Sequence, residues 1–269
     1  MLGKLLKYEL QGTALYFLPL FAATLVFSIL IRLCGSVFDY NWGWINGLLI
    51  FVEVLLIITL AVMTLVITIR RFYLNLLGNE GYLMFTLPVS THHNILSKLL
   101  VAMLWTIAGM LVVALSIIIM AGFGNIAADF SSAWRDISNF LLTELNLSPF
   151  LLLCEFAIIG LIGVASNILF LYLAMAIGQL ANEHKFLASI GAFLGLQVAL
   201  SIISSTIIAN LSLAWINDAS YWIETFKTPG GIMQLVQIIM LASAIIGITT
   251  SVAYYFITHW LLKRRLNLS

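Results

Sequence analysis

The chain has 269 residues, of which 62% are apolar and only 9% charged, and its mean hydropathy is +1.11. A water-soluble domain needs far more charge than this to cover its surface. Several apolar runs exceed the roughly 18 residues that cross a bilayer as a helix, and no ten-residue alternating segments of a transmembrane barrel stand out.

The first eleven residues, MLGKLLKYELQ, place Leu2, Leu5, Leu6 and Leu10 on one helical face and Lys4, Lys7 and Gln11 on the other. This pattern predicts an amphipathic helix over 1–11 that lies in the membrane interface. Glu9 falls within the apolar stripe. Either it is buried and needs a partner, for which Arg70 or Arg71 are candidates, or it stays in water at a frayed end.

Six spans follow at 14–33, 45–69, 99–121, 149–173, 186–208 and 235–260. If they alternate, nine of the twelve basic residues share one side: Lys4, Lys7, Arg70, Arg71, Lys98, Lys185, Lys263, Arg264 and Arg265. Arg32, Arg135 and Lys227 lie on the other. By the positive-inside rule both termini are expected in the cytoplasm. Trp42, Trp44, Trp215, Tyr221 and Trp222 cluster beside the outer span ends, as interfacial anchors do.

Within the spans, Glu53 and Glu155 sit roughly 9–12 Å inside the outer ends, at ~1.5 Å per residue. An acid in a span is by default a polar pathway lining or a proton site. The alternative places both near the headgroups. Between spans three and four, AWRDISNFLLTEL sets Trp134, Ile137, Leu141 and Leu145 on one face, which predicts a short surface helix. DASYWIETFKTPGG after span five reads as a second surface element ended by Pro229, Gly230 and Gly231. In span five, Gly191 and Gly195 form a small-xxx-small pair suited to close helix packing.

The chemistry of soluble enzymes has little to stand on. His92 and His93 are adjacent, so on a helix they diverge by ~100° and do not readily share an ion. Cys34 and Cys154 lack metal or redox spacing. No Walker A loop occurs, so ATP is not expected to bind this chain by that mode. Neither G-x-S-x-G nor H-E-x-x-H is present.

The segment after span two is the most elaborate polar stretch. RFYLNLLGNEGYLMFTLP puts Glu80 between glycines, with Gly78 and Gly81 able to break a helix and Pro88 to stop the apolar run 82–87. Ser90 or Thr91 can cap the next helix. Leu83, Met84, Phe85 and Leu87 are more than a solvated loop needs, and they point to a docking surface. NEGYLMFTLPVSTHHNILSKLL resembles the cytoplasmic segment of ABC-2 type transporter permeases through Glu80, Gly81, Leu83, Leu87, Pro88, Val89, Ser90 and Lys98. With the LLKYEL-like start, it is similar to a subgroup common in Gram-positive bacteria. Tyr82 departs from the family's usual threonine. The motif identity covers residues 2–11 and 70–100.

The resemblance implies an all-α integral membrane protein, a single permease domain over 1–269. It would have an interfacial elbow helix at 1–11, six transmembrane helices and a cytoplasmic coupling segment at 70–98. Such a subunit pairs with a second permease, identical or related, and with separate ATP-binding subunits that hold the ATP and magnesium. It exports a substrate through the plasma membrane of a bacterium. Its partners would thus be the ATPase, the second permease and membrane lipid, not nucleic acid, and it would need no cofactor of its own. The ATPase-docking residues implied are Glu80, Gly81, Tyr82, Leu83, Phe85 and Pro88, with Glu9, Arg70 and Arg71. Glu53 and Glu155 would be pathway residues. Two other functions fit the same residues: a membrane anchor or sensor that recruits an ATPase, and an ion-coupled transporter using Glu53 and Glu155.

Overall fold

The computed structural model describes residues 2–37, 43–74, 91–143, 145, 147–181, 184–217 and 229–264. Among these residues the chain is all-helical, with seven helices in the order α1 Leu2–Val37, α2 Gly43–Phe72, α3 Thr91–Ala121, α4 Phe123–Thr143, α5 Pro149–Gly178, α6 Lys185–Asn217 and α7 Pro229–Arg264. All but α4 are long and apolar enough to cross a membrane. Large apolar side chains such as Leu15, Phe150 and Leu187 stand exposed along them, where bilayer hydrocarbon in place of water makes exposure favourable. The chain is a multi-pass membrane protein.

The helix ends follow local chemistry. Pro149 and Pro229 open α5 and α7, where a proline's missing N–H would have had no intrahelical partner. Pro229 therefore starts the last helix, whereas the sequence pattern had it closing a surface element. Gly122 separates α3 from α4 with φ +92°, a backbone region that glycine enters without steric cost. The amphipathic surface helix expected from Trp134 to Leu145 is the second half of α4, which begins eleven residues earlier at Phe123 and ends at Thr143.

Residues 2–11 do not form a helix separate from the first span. They are the opening turns of the 36-residue α1. Hydropathy places a boundary near Gly12, but a single glycine costs only about 1 kcal/mol in a helix interior, too little to break a continuous backbone ladder. At ~1.5 Å per residue α1 is ~54 Å long, well beyond the ~30 Å hydrocarbon thickness. Pro19 within it removes one ladder bond.

The chain divides into two compact units, Met1–Ala133 and Trp134–Asn267, with α4 running from one into the other. In the first, α1, α2 and α3 pack pairwise around Phe17, Phe21, Leu60, Ile67, Val101, Trp105 and Val112. In the second, α5 packs against α6 and α7, with Leu173, Ala176 and Leu261 at the centre. Phe170 meets Phe193 edge-on at 5.3 Å and Tyr254 at 5.6 Å. Phe193 and Leu196 are thus the inward side of α6. Gly191 and Gly195 meet nothing within 4 Å of where a side chain would start, so the small-xxx-small pair does not pack within the described chain.

Candidate functional site

The first unit holds its polar groups in two places. At the start of α1, Glu9 is buried and its carboxylate takes two cations. Lys98 Nζ of α3 donates to Oε1 at 2.5 Å, and Arg71 Nη1 of α2 donates to Oε2 at 3.3 Å. The lysine side chain is only 2% exposed and the arginine 29%, so the Glu9–Lys98 contact lies in the low-dielectric interior and the arginine lies at its rim. Gly12 makes room for the rim partner. A Cβ there would fall 2.5 Å from Arg71 Nη2.

One turn further, the network continues through neutral groups. Thr13 Oγ1 donates to the Glu9 carbonyl at 2.8 Å and accepts from Trp105 Nε1 at 2.8 Å. The indole then stacks on Phe17, with centroids 4.6 Å apart and planes 12° from parallel. Glu9, Thr13 and Phe17 recur every four residues and form one face of α1. That face meets Lys98 and Trp105, seven residues apart on one face of α3. The spacing of the two helices thus sets a charged contact, a hydroxyl bridge and an aromatic stack in sequence.

The expectation of a partner for Glu9 among Arg70 and Arg71 is met by Arg71. Arg70 instead stands exposed and makes no ion pair with a described residue. Thr13 and Trp105 were not among the sequence's site candidates, and Lys98 entered only as a position of the family resemblance. The usable signal was a lysine eight positions into a helix and flanked by Ile95, Leu99 and Leu100, which needs an acid unless it reaches water. The remaining expected docking residues, Glu80, Gly81, Tyr82, Leu83, Phe85 and Pro88, lie outside the described residues. The clamp flanks them: Arg71 precedes residue 75 by four positions, and Lys98 follows residue 90 by eight.

The second polar place is deeper. Glu53 is ten residues into α2, ~15 Å along its axis, and 1% exposed. It faces protein. Ser28 Oγ donates to its Oε1 at 2.9 Å, while Oε2 has no partner among the described residues. Gly109 meets Leu60 closely. Carrying that antiparallel register seven residues each way brings Ser116, also fully buried, level with Glu53. Glu155 differs. It is partly exposed on α5, with no hydrogen bond or ion pair to a described residue, and belongs to the other unit.

Among the described residues no group of three or more His, Cys, Asp or Glu side chains could hold a metal ion. Cys34 and Cys154 are free thiols. The arrangement at Glu9 is an ionic contact that joins three helices through one carboxylate. Comparison with family models, curated proteins and solved structures gave no match to this chain.

Proposed function

We propose that this chain is the membrane-spanning permease subunit of an ATP-driven exporter, working with a separate ATP-binding subunit and a second permease. Its termini and the 75–90 segment would face the cytoplasm across a bacterial plasma membrane. The resemblance of residues 2–11 and 70–100 to ABC-2 type permeases supports this reading, together with the basic asymmetry of the loops.

The observation that carries it is the Glu9 clamp. One carboxylate on α1 holds the helix before the 75–90 segment through Arg71 and the helix after it through Lys98. A push on that segment by an ATPase would reach α2 and α3 together and be passed to α1 through a buried ionic contact. Packed helices are bistable instead of continuously deformable, so a small displacement at this end would be converted into a shift of whole spans.

The test is reconstitution. The purified chain alone is expected to show no ATP hydrolysis. Adding its ATP-binding subunit should give hydrolysis and ATP-dependent flux, with Glu9→Gln lowering flux several-fold more than hydrolysis. Hydrolysis by the contaminant-free chain alone would refute the assignment. ATPase binding with no flux of any candidate substrate would favour the anchor reading.

A further inference from the structure

A groove of ≈ 390 Å³ runs along the seam of α1 and α2. Its apolar wall is formed by Tyr16, Met63, Val66 and Leu74, and its charged end by Arg70 and Arg71. Met63, Val66, Arg70 and Leu74 follow helical spacing, so the apolar stripe passes without interruption into the arginine pair. Met63 and Arg71 are eight residues apart, ~12 Å along the axis.

Among the described residues Glu9 is the single acid in contact with these cations, and it takes both Lys98 and Arg71. Arg70 adds a third cation and has no ion pair with a described residue. A guanidinium has five N–H donors in a planar fork suited to phosphate, and the Glu9 carboxylate engages only Nη1 of Arg71.

From these observations the geometry points to a binding site for an anionic phospholipid, with the headgroup phosphate on Arg70 and Arg71 and an acyl chain along Tyr16, Met63 and Val66. The helix decides between lipid and a soluble anion. α2 is apolar enough to span and ends at Phe72, so the arginines emerge at headgroup level, where basic side chains attract anionic lipid. A dissolved phosphate would have no use for the apolar wall beneath them. The site does not depend on the ATP-driven reading. A bound lipid would brace the outer side of Arg71 while Glu9 holds the inner side, joining the clamp to the bilayer.

The probe is phosphatidylglycerol against phosphatidylcholine of the same acyl chains, titrated onto the purified full-length chain in detergent and read by native mass spectrometry. Wild type should retain phosphatidylglycerol at least about fivefold better, the scale one interfacial basic residue supports. Arg70→Gln lies outside the Glu9 contact and should cut that retention about fivefold, with an unchanged melting curve. Val66→Trp should fill the groove and lower retention of both lipids, while Lys4→Gln should change neither. Equal retention of the two lipids by wild type would overturn the site, as would wild-type retention in both groove variants. An equal loss in Lys4→Gln would reduce the preference to general surface charge and overturn it too. Displacement of phosphatidylglycerol by millimolar inorganic phosphate would make this a free-anion site and reject the lipid assignment.

Discussion

Lys98 Nζ and Glu9 Oε1 meet at 2.5 Å across 89 positions of sequence, and the contact is buried. The pair closes α1 on α3 at the end where Arg71 brings in α2. The two cations on this carboxylate are unequal, because one is inside the protein and the other at its rim.

That inequality predicts the effects of removing them. Lys98→Ala leaves the Glu9 carboxylate buried with only its rim partner Arg71 among the described residues and should cost about 3–5 kcal/mol. Arg71→Ala removes a partly solvated partner and should cost no more than about 1 kcal/mol. The double variant Glu9→Gln/Lys98→Met removes both buried charges and should recover much of the loss while leaving flux impaired. Thermal unfolding in detergent gives the first comparison and reconstituted flux the second. Equal destabilisation by Lys98→Ala and Arg71→Ala would show that burial does not rank the two contacts.

Trp105 contributes to packing and to hydrogen bonding, and two substitutions separate them. Trp105→Ala removes the stack on Phe17 and opens a cavity, for an expected cost of about 3–5 kcal/mol. Trp105→Phe keeps an aromatic ring but leaves the buried Thr13 hydroxyl without its donor, at about 1–3 kcal/mol. Melting temperatures of the two variants should fall in that order. A Phe variant as unstable as Ala would mean that the indole N–H, not the ring, dominates.

Ser28 is the described hydrogen-bond donor to Glu53. Ser28→Ala should therefore destabilise the first unit by about 1–3 kcal/mol. Glu53→Gln keeps shape and an acceptor for Ser28 and should unfold close to wild type. A polar pathway role would appear as lost flux in Glu53→Gln despite normal stability. Normal flux in a well-folded Glu53→Gln would make the residue structural.

Glu80 provides the test of docking. Glu80→Lys is expected to insert and fold normally but to lose co-purification with the ATPase and most ATP-driven flux, with Glu80→Gln milder. Reversing a partly desolvated charge adds repulsion to the lost attraction, a few kcal/mol in all at about the scale of interfacial charge pairs. Single-cysteine labelling should also place Lys4, Glu80 and Arg264 on one side and Asp136 and Glu224 on the other. Labelling of Glu80 together with Asp136 would remove the inside location that docking requires.

The sequence by itself determined the class, because uninterrupted apolar runs over 18 residues long have few stable forms other than a spanning helix. All six expected spans lie within observed helices. Their ends were less legible, since hydropathy marks where lipid stops and not where the backbone ladder stops. α1 therefore begins at Leu2, and α4 at Phe123. Glu9 was readable as an acid in need of a partner because it interrupts an apolar stripe. Tertiary structure alone could decide that Lys98 answers it more closely than Arg71, and that Arg70 does not. The same holds for Ser28 under Glu53 and for Trp105 on Thr13 and Phe17. These pairs are 25 to 92 residues apart, and their meeting depends on the register of helices against one another. Local periodicity fixes which face a residue occupies, but not which other helix covers that face.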